Sequence, residues 1–124
     1  TGGALKDRVA DLLREGALAP PRVVDLPGLA GASAADVNAV LKLLAADGSV
    51  VRVSPEIWFD GAAVSTLRAR LIEHLHAHRE IDTQAFKELV GSTRKHVIPL
   101  AEYFDREKVT LRVGEKRVLR GLHA

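Results

Sequence analysis

An internal repeat with an offset of sixty residues constrains the fold of this 124-residue chain more than any other feature. Shifting the sequence by that offset superimposes two apolar sets with the spacing i, i+3, i+4, i+7. These sets are Val37, Val40, Leu41 and Leu44 in the first half, and Val97, Leu100, Ala101 and Phe104 in the second. Such spacing is typical of a helix that buries one face. The chain is therefore expected to build one structural unit twice.

Each copy predicts the same order of elements: a long helix, a short helix, a third helix and a β-hairpin. In the first copy we expect helices over 4–15, up to Gly31 and over 33–47, with strands at 50–53 and 57–59. The second copy gives helices over 64–78, up to Gly91 and over 93–107, with strands at 109–113 and 117–119. The hairpin turns read S-P-E and G-E-K, and both are compatible with tight turns.

Three helices followed by a β-hairpin form the winged-helix variant of the helix-turn-helix. The fold class that we predict is α+β, mainly helical, with two tandem winged-helix domains over residues 1–60 and 61–124. The alternative is one six-helix α+β domain, since this length suits either one compact domain or two near the lower size limit. Aromatic residues make up only 4% of the chain, so the core must consist mainly of Leu, Val, Ile and Ala.

Composition argues against several classes of function. The chain contains no cysteine, which excludes a disulfide framework, a thiolate zinc site and a cysteine nucleophile. This is consistent with the cytoplasm. No apolar run approaches the roughly 20 residues that cross a bilayer, so no membrane partner is expected. The chain begins without an initiator Met, and we expect it to be part of a longer protein.

Neither catalysis nor cofactor binding is indicated by the side chains that carry chemistry. No nucleophile–base pair or pair of carboxylates stands out, so we expect no enzymatic activity and no cofactor. His74 and His78 are spaced i, i+4 on a predicted helix. Only Glu73 and Glu80 lie nearby as further ligands, so we expect a solvated helix face and no metal site.

The two copies differ in charge. Residues 1–60 carry six basic and eight acidic side chains, whereas residues 61–124 carry twelve and eight. The third helix starts with S-A-A-D in the first copy and with T-R-K-H in the second. A helix N-terminus bears a partial positive charge, which Asp36 complements and which Arg94 and Lys95 oppose. Folding therefore does not require the basic version of this turn, and the cations are expected to serve binding.

In a helix-turn-helix, this turn is the part that approaches nucleic acid, and its free N–H groups favour a phosphate. The predicted wing of the second copy is also basic, with Arg112, Lys116 and Arg117. Helix start and wing together would form a basic clamp. The alternative is a solvated surface whose charges pair with nearby acidic residues, namely Glu102, Asp105, Glu107 and Glu115.

The run G-S-T-R-K-H-V-I-P-L-A-E-Y-F-D-R, followed by V-G-E-K-R-V-L, resembles the C-terminal end of the bacterial selenocysteine-specific translation elongation factor. The close match covers Gly91 to Leu119. Members of that family end in tandem winged-helix domains, the last of which binds a hairpin in selenoprotein mRNA, the selenocysteine insertion sequence. The resemblance implies a cytoplasmic, non-catalytic RNA-binding module that tethers the factor for selenocysteine incorporation at UGA codons.

The resemblance also implies which residues bind RNA. It places contacts on Ser92, Thr93, Arg94, Lys95 and His96 at the helix start, and on Arg112, Lys116 and Arg117 in the wing. Family members often carry an aromatic residue where His96 stands, and a histidine can still stack on a base or form a hydrogen bond.

The family's GTPase, which uses GTP and carries selenocysteinyl-tRNA to the ribosome, would lie outside this chain, which has no G-x-x-x-x-G-K-[ST] motif. Two other functions stay open. One is a DNA-binding winged-helix regulator, which would normally be dimeric and read a major groove. The other is a protein-interaction module with an acidic partner. No feature demands a dimer, and a monomer is expected.

Overall fold

The computed structural model describes the backbone of residues 2–91 and 94–119, and the side chains of residues 4–91 and 96–119. The helices are α1 (Gly2–Gly16), α2 (Leu26–Ala30), α3 (Ala34–Ala46), α4 (Gly61–His78), α5 (Thr83–Val90) and α6 (Arg94–Arg106). The strands are β1 (Val50–Ser54), β2 (Ile57–Asp60), β3 (Glu80–Asp82), β4 (Thr110–Val113) and β5 (Lys116–Leu119). A short 3-10 helix, Val23–Asp25, precedes α2. The predicted order of helices and hairpins is confirmed.

The chain divides into two compact units, Thr1–Val64 and Ser65–Ala124. The division falls within α4, a few residues after the predicted boundary at residues 60 and 61. The fold is a winged helix, mostly helical with small antiparallel sheets. The finer prediction, two winged-helix domains in tandem, stays a prediction.

The first unit is built on α1, α2, α3 and the β1–β2 hairpin. Ser33 caps α3, because its Oγ accepts a hydrogen bond from the Asp36 N–H at 3.1 Å. The apolar stripe of α3 packs with residues of α1, α2 and β1. This core consists of Val9, Leu13, Leu26, Val37, Val40, Leu41, Leu44 and Val50. The hairpin pairs Val50 with Asp60 and has an irregularity between Arg52 and Ser54.

The second unit adds a strand that the sequence did not predict. β3 pairs antiparallel with β5, so that the sheet has the order β3-β5-β4 and β5 lies at its centre. The apolar stripe of α6 is buried, and Phe86 of α5 meets Phe104 edge to face at 6.4 Å between ring centroids. Apart from these two rings, the buried hydrophobic side chains described in this unit are aliphatic.

In the described residues, no single helix is long and apolar enough to cross a membrane. Two helical segments, Val23–Ala30 and Ala34–Ala46, meet the length and composition criteria together, but they are bent by 109° relative to each other.

Gly61 is required by a close backbone approach at the start of α4. Its N–H donates to the Ser49 carbonyl at 2.8 Å, and a Cβ at this position would overlap the Gly48 carbonyl oxygen. We expect Gly61→Ala to lower the free energy of unfolding by about 1–3 kcal/mol, as overpacking does. Gly28→Ala is the matched control, because a Cβ there meets no atom within 4 Å. It should stabilise by about 0.4–1 kcal/mol, and urea unfolding of both variants checks the opposite signs.

Candidate nucleic-acid interface

The predicted binding turn stands between α5 and α6. α5 ends at Gly91, which adopts φ 69° and whose N–H donates to the Lys87 carbonyl at 2.9 Å. This left-handed conformation favours glycine and ends α5. Ser92 and Thr93 lie outside the described residues. Arg94 and Lys95 form the first turn of α6, and their side chains also lie outside the described part.

The first turns of α3 and α6 differ in charge, as the two copies do in the sequence. α3 has an acidic residue in its first turn, Asp36, whereas α6 has none. The first turn of α6 therefore carries two cationic residues at the positive end of the helix dipole and no acidic residue. Such a start is suited to an anion.

The structure places His96 differently from the expectation. Its side chain is only 6% exposed and lies beside the fully buried Val97, whereas the corresponding Asp36 is exposed. His96 lies four residues before Leu100 and eight before Phe104, at the edge of the buried stripe of α6. That spacing was the signal for burial. Most of the His96 surface is therefore covered in the free chain, and its contact with RNA stays a prediction.

Two of the three predicted wing cations are exposed. Arg112 lies on β4, and its Nε donates to the Gly114 carbonyl in the turn at 3.1 Å. Lys116 lies at the start of β5 and forms an ion pair with Glu80 of β3. The hydrogen bond to Glu80 raises the pKa of Lys116 above its ordinary value. Both side chains are accessible to a ligand, although Lys116 must exchange or share its carboxylate partner.

Arg117 is held inside the second unit. Its side chain is 14% exposed, and its Nη2 lies 3.0 Å from Oδ2 of Asp105. The Nε lies 3.1 Å from both carboxylate oxygens. Pairing with Asp105 is one of the alternatives that the sequence left open for these charges. Arg117 is thus half-buried in an internal ion pair, whereas Arg112 and Lys116 of the same hairpin are exposed.

A groove joins the wing to α6. Its volume is about 460 Å³, and it is lined by Asp82, Thr83, Gln84, Ile98, Arg112, Glu115 and Arg117. Ile98 of α6 is 36% exposed here, and the wing strand β4 exposes Leu111 and Val113. The surface is therefore mixed: cations, acidic groups and apolar side chains alternate. Sequence reasoning missed Asp82 and Ile98, because nothing local indicates that β3 and the middle of α6 meet the wing.

The histidines of α4 do not gather a ligand set. The rings of His74 and His78 lie 4.5 Å apart between centroids and are tilted. Among the described residues, no group of three His, Asp or Glu side chains is placed to hold a metal ion.

Comparison with known proteins shows what this chain is similar to. A family model described as "Elongation factor SelB, winged helix" matches residues 73–119, which include both the start of α6 and the wing. The selenocysteine-specific elongation factor of Desulfomicrobium baculatum is 36% identical over 90 residues, which cover 73% of this chain. The resemblance to this elongation factor family is confirmed. The chain spans 14% of the length of that relative.

Solved SelB structures share the fold. The mRNA-binding domain of E. coli SelB, solved in complex with SECIS RNA, superimposes with a TM-score of 0.81 and 20% identity, over 97% of both chains. The crystal structure of bacterial EF-Sec gives a TM-score of 0.74 and 20% identity, over 94% of this chain and 18% of that chain. The likeness extends over both compact units.

Proposed function

We propose that this chain binds the selenocysteine insertion sequence (SECIS) hairpin of selenoprotein mRNA. It thereby tethers a SelB-type elongation factor for selenocysteine incorporation at UGA codons. The match of residues 73–119 to the SelB winged helix carries the proposal, because it spans both halves of the basic surface. The shared fold with the E. coli domain solved in complex with SECIS RNA supports it.

The chemistry of the site suits an RNA loop. The major groove of A-form RNA is too narrow for a helix, so proteins bind loops, splayed bases and the backbone. Arg94 and Lys95, with the N–H groups that open α6, would hold loop phosphates, and Ser92 and Thr93 would add hydroxyl contacts. Arg112 and Lys116 would contact the backbone beside the loop. Contact of His96 with RNA stays a prediction, since most of its surface is covered in the free chain.

The proposal extends to the organisation of the whole protein. The two compact units would be two winged-helix domains over about 1–60 and 61–124, with recognition in the second and a spacer role for the first. The full-length factor would also bind GTP, selenocysteinyl-tRNA and the ribosome in the cytoplasm. In this chain the function is binding, without catalysis or a cofactor, and a monomer suffices for it.

A titration with three ligands tests the proposal: a selenoprotein mRNA hairpin from the source organism, the same hairpin with a mutated loop, and duplex DNA. We expect tight binding of the first and much weaker binding of the other two. Equal or tighter binding of duplex DNA would replace this proposal with a DNA-binding regulator. Failure to bind any of the three would favour a protein-interaction module.

A further inference from the structure

A polar cluster connects α6 to the wing in the second unit. The carboxylate of Asp105, near the end of α6, accepts hydrogen bonds from Arg117 of β5 and from the Thr110 hydroxyl of β4. The Thr110 Oγ1–Asp105 Oδ1 distance is 2.5 Å. Thr110 is 1% exposed, so the cluster is largely enclosed. We call these three residues the Asp105 cluster.

The first unit has apolar side chains at the corresponding positions. The offset of sixty places Ala45 and Val50 opposite Asp105 and Thr110. The strand register places Trp58 opposite Arg117, because Trp58 pairs with Arg52 as Arg117 pairs with Arg112. Val50 is 3% exposed, and Ala45 and Trp58 pack against the core of the first unit. Replacing a buried ion pair by apolar residues of similar volume is often neutral or stabilising. The fold thus connects the third helix to the hairpin without charges, and stability alone does not explain the Asp105 cluster.

Geometry indicates what the cluster adds. Arg117 is the cross-strand partner of Arg112 and directly follows Lys116, and Asp105 belongs to the helix that begins with Arg94 and Lys95. An arginine that uses several N–H groups on one carboxylate fixes orientation as well as distance. The cluster therefore ties the strands that carry the exposed wing cations to the helix that carries the other half of the basic surface.

We infer that Arg117 is a positioning residue for RNA binding and makes no direct contact with RNA. It holds the wing strands, and with them Arg112 and Lys116, in a fixed position relative to α6. This inference rests on the proposed function.

Asp105→Asn separates the two roles, because they predict opposite signs. If Arg117 contacted RNA, releasing it from Asp105 and removing one negative charge would leave hairpin affinity unchanged or raise it. If Arg117 positions the wing, affinity falls, by about tenfold for the loss of one charge-assisted interaction. An Asp105→Asn protein that binds the hairpin as tightly as the wild type, or more tightly, overturns the inference.

A mutant cycle adds a second readout. Arg117→Ala is combined with the wing variant Arg112→Gln/Lys116→Gln. A residue that acts through Arg112 and Lys116 has no further effect once they are neutral, whereas a direct contact adds its full effect. Additive losses of affinity therefore count against positioning.

Replacing the whole cluster by apolar residues distinguishes an effect on binding from a loss of folding. The triple variant Asp105→Ala/Thr110→Val/Arg117→Ile should melt at or above the wild-type temperature and still bind the hairpin about tenfold more weakly. If this well-folded variant binds like the wild type, the cluster has no role in recognition. If the wild-type chain does not bind the RNA hairpin, both the proposed function and this inference are wrong. If the wild-type chain binds it and the Asp105→Asn protein binds it equally tightly, only this inference is wrong.

Discussion

Replacing Arg94 and Lys95 together by alanine is expected to weaken hairpin binding by at least about 100-fold without lowering the melting temperature. Hydrogen bonds to charged groups contribute about 1.5–3 kcal/mol each, and each 1.4 kcal/mol corresponds to a tenfold change in Kd. Both cations stand at the positive end of the α6 dipole, so their removal should stabilise the free protein by a few tenths of a kcal/mol each. Hairpin titration and thermal unfolding of the same preparation check both parts.

Lys42→Ala/Arg70→Ala is the matched control, since it removes one lysine and one arginine at exposed positions of α3 and α4. Neither residue belongs to α6 or to the wing, so this variant should bind nearly as the wild type does. If the melting temperature of Arg94→Ala/Lys95→Ala falls while affinity holds, the two residues are structural. A swap of the complete block to S-A-A-D would be a poor test, because it places a carboxylate at the buried position of His96.

The helices and hairpins could be predicted from the sequence because their signals are local. The apolar spacing of α3 and α6, and the glycines that end α2 and α5, place these elements within one or two residues of the structure. β3 could not be predicted in this way. It has three residues, of which only Ile81 is buried, and it is a strand because it pairs with β5, far along the chain.

The sequence predicted which basic residues form the candidate site, but not which of their side chains are exposed. Arg112, Lys116 and Arg117 look alike in the sequence, yet the structure encloses Arg117 because Asp105, twelve residues earlier, accepts its hydrogen bonds. The first copy shows the same contrast in the structure, since Trp58, which takes the strand position of Arg117, packs against the apolar core. A comparison of the two copies therefore indicates which positions are buried, as well as which residues serve binding.

Two cavity variants test where recognition lies. Phe59 and Phe104 are 0% and 1% exposed, in the first and second unit respectively. Truncation of either to alanine should cost about 3–5 kcal/mol. For a unit of roughly 60 residues this approaches the whole free energy of unfolding. We expect Phe104→Ala to abolish hairpin binding, and Phe59→Ala to leave the Kd essentially unchanged.

Amide NMR spectra recorded on the same samples show which unit each substitution disrupts, so that binding can be assigned to the unit that keeps its native signals. If Phe59→Ala protein keeps a native second unit but no longer binds the RNA hairpin, the first unit contributes RNA contacts. If Phe104→Ala protein loses the native signals of the second unit and still binds the RNA hairpin, the binding site does not lie on α6 and the wing. The two substitutions are matched in chemistry and burial, so a difference in affinity between them reports the location of the site and not the severity of the damage.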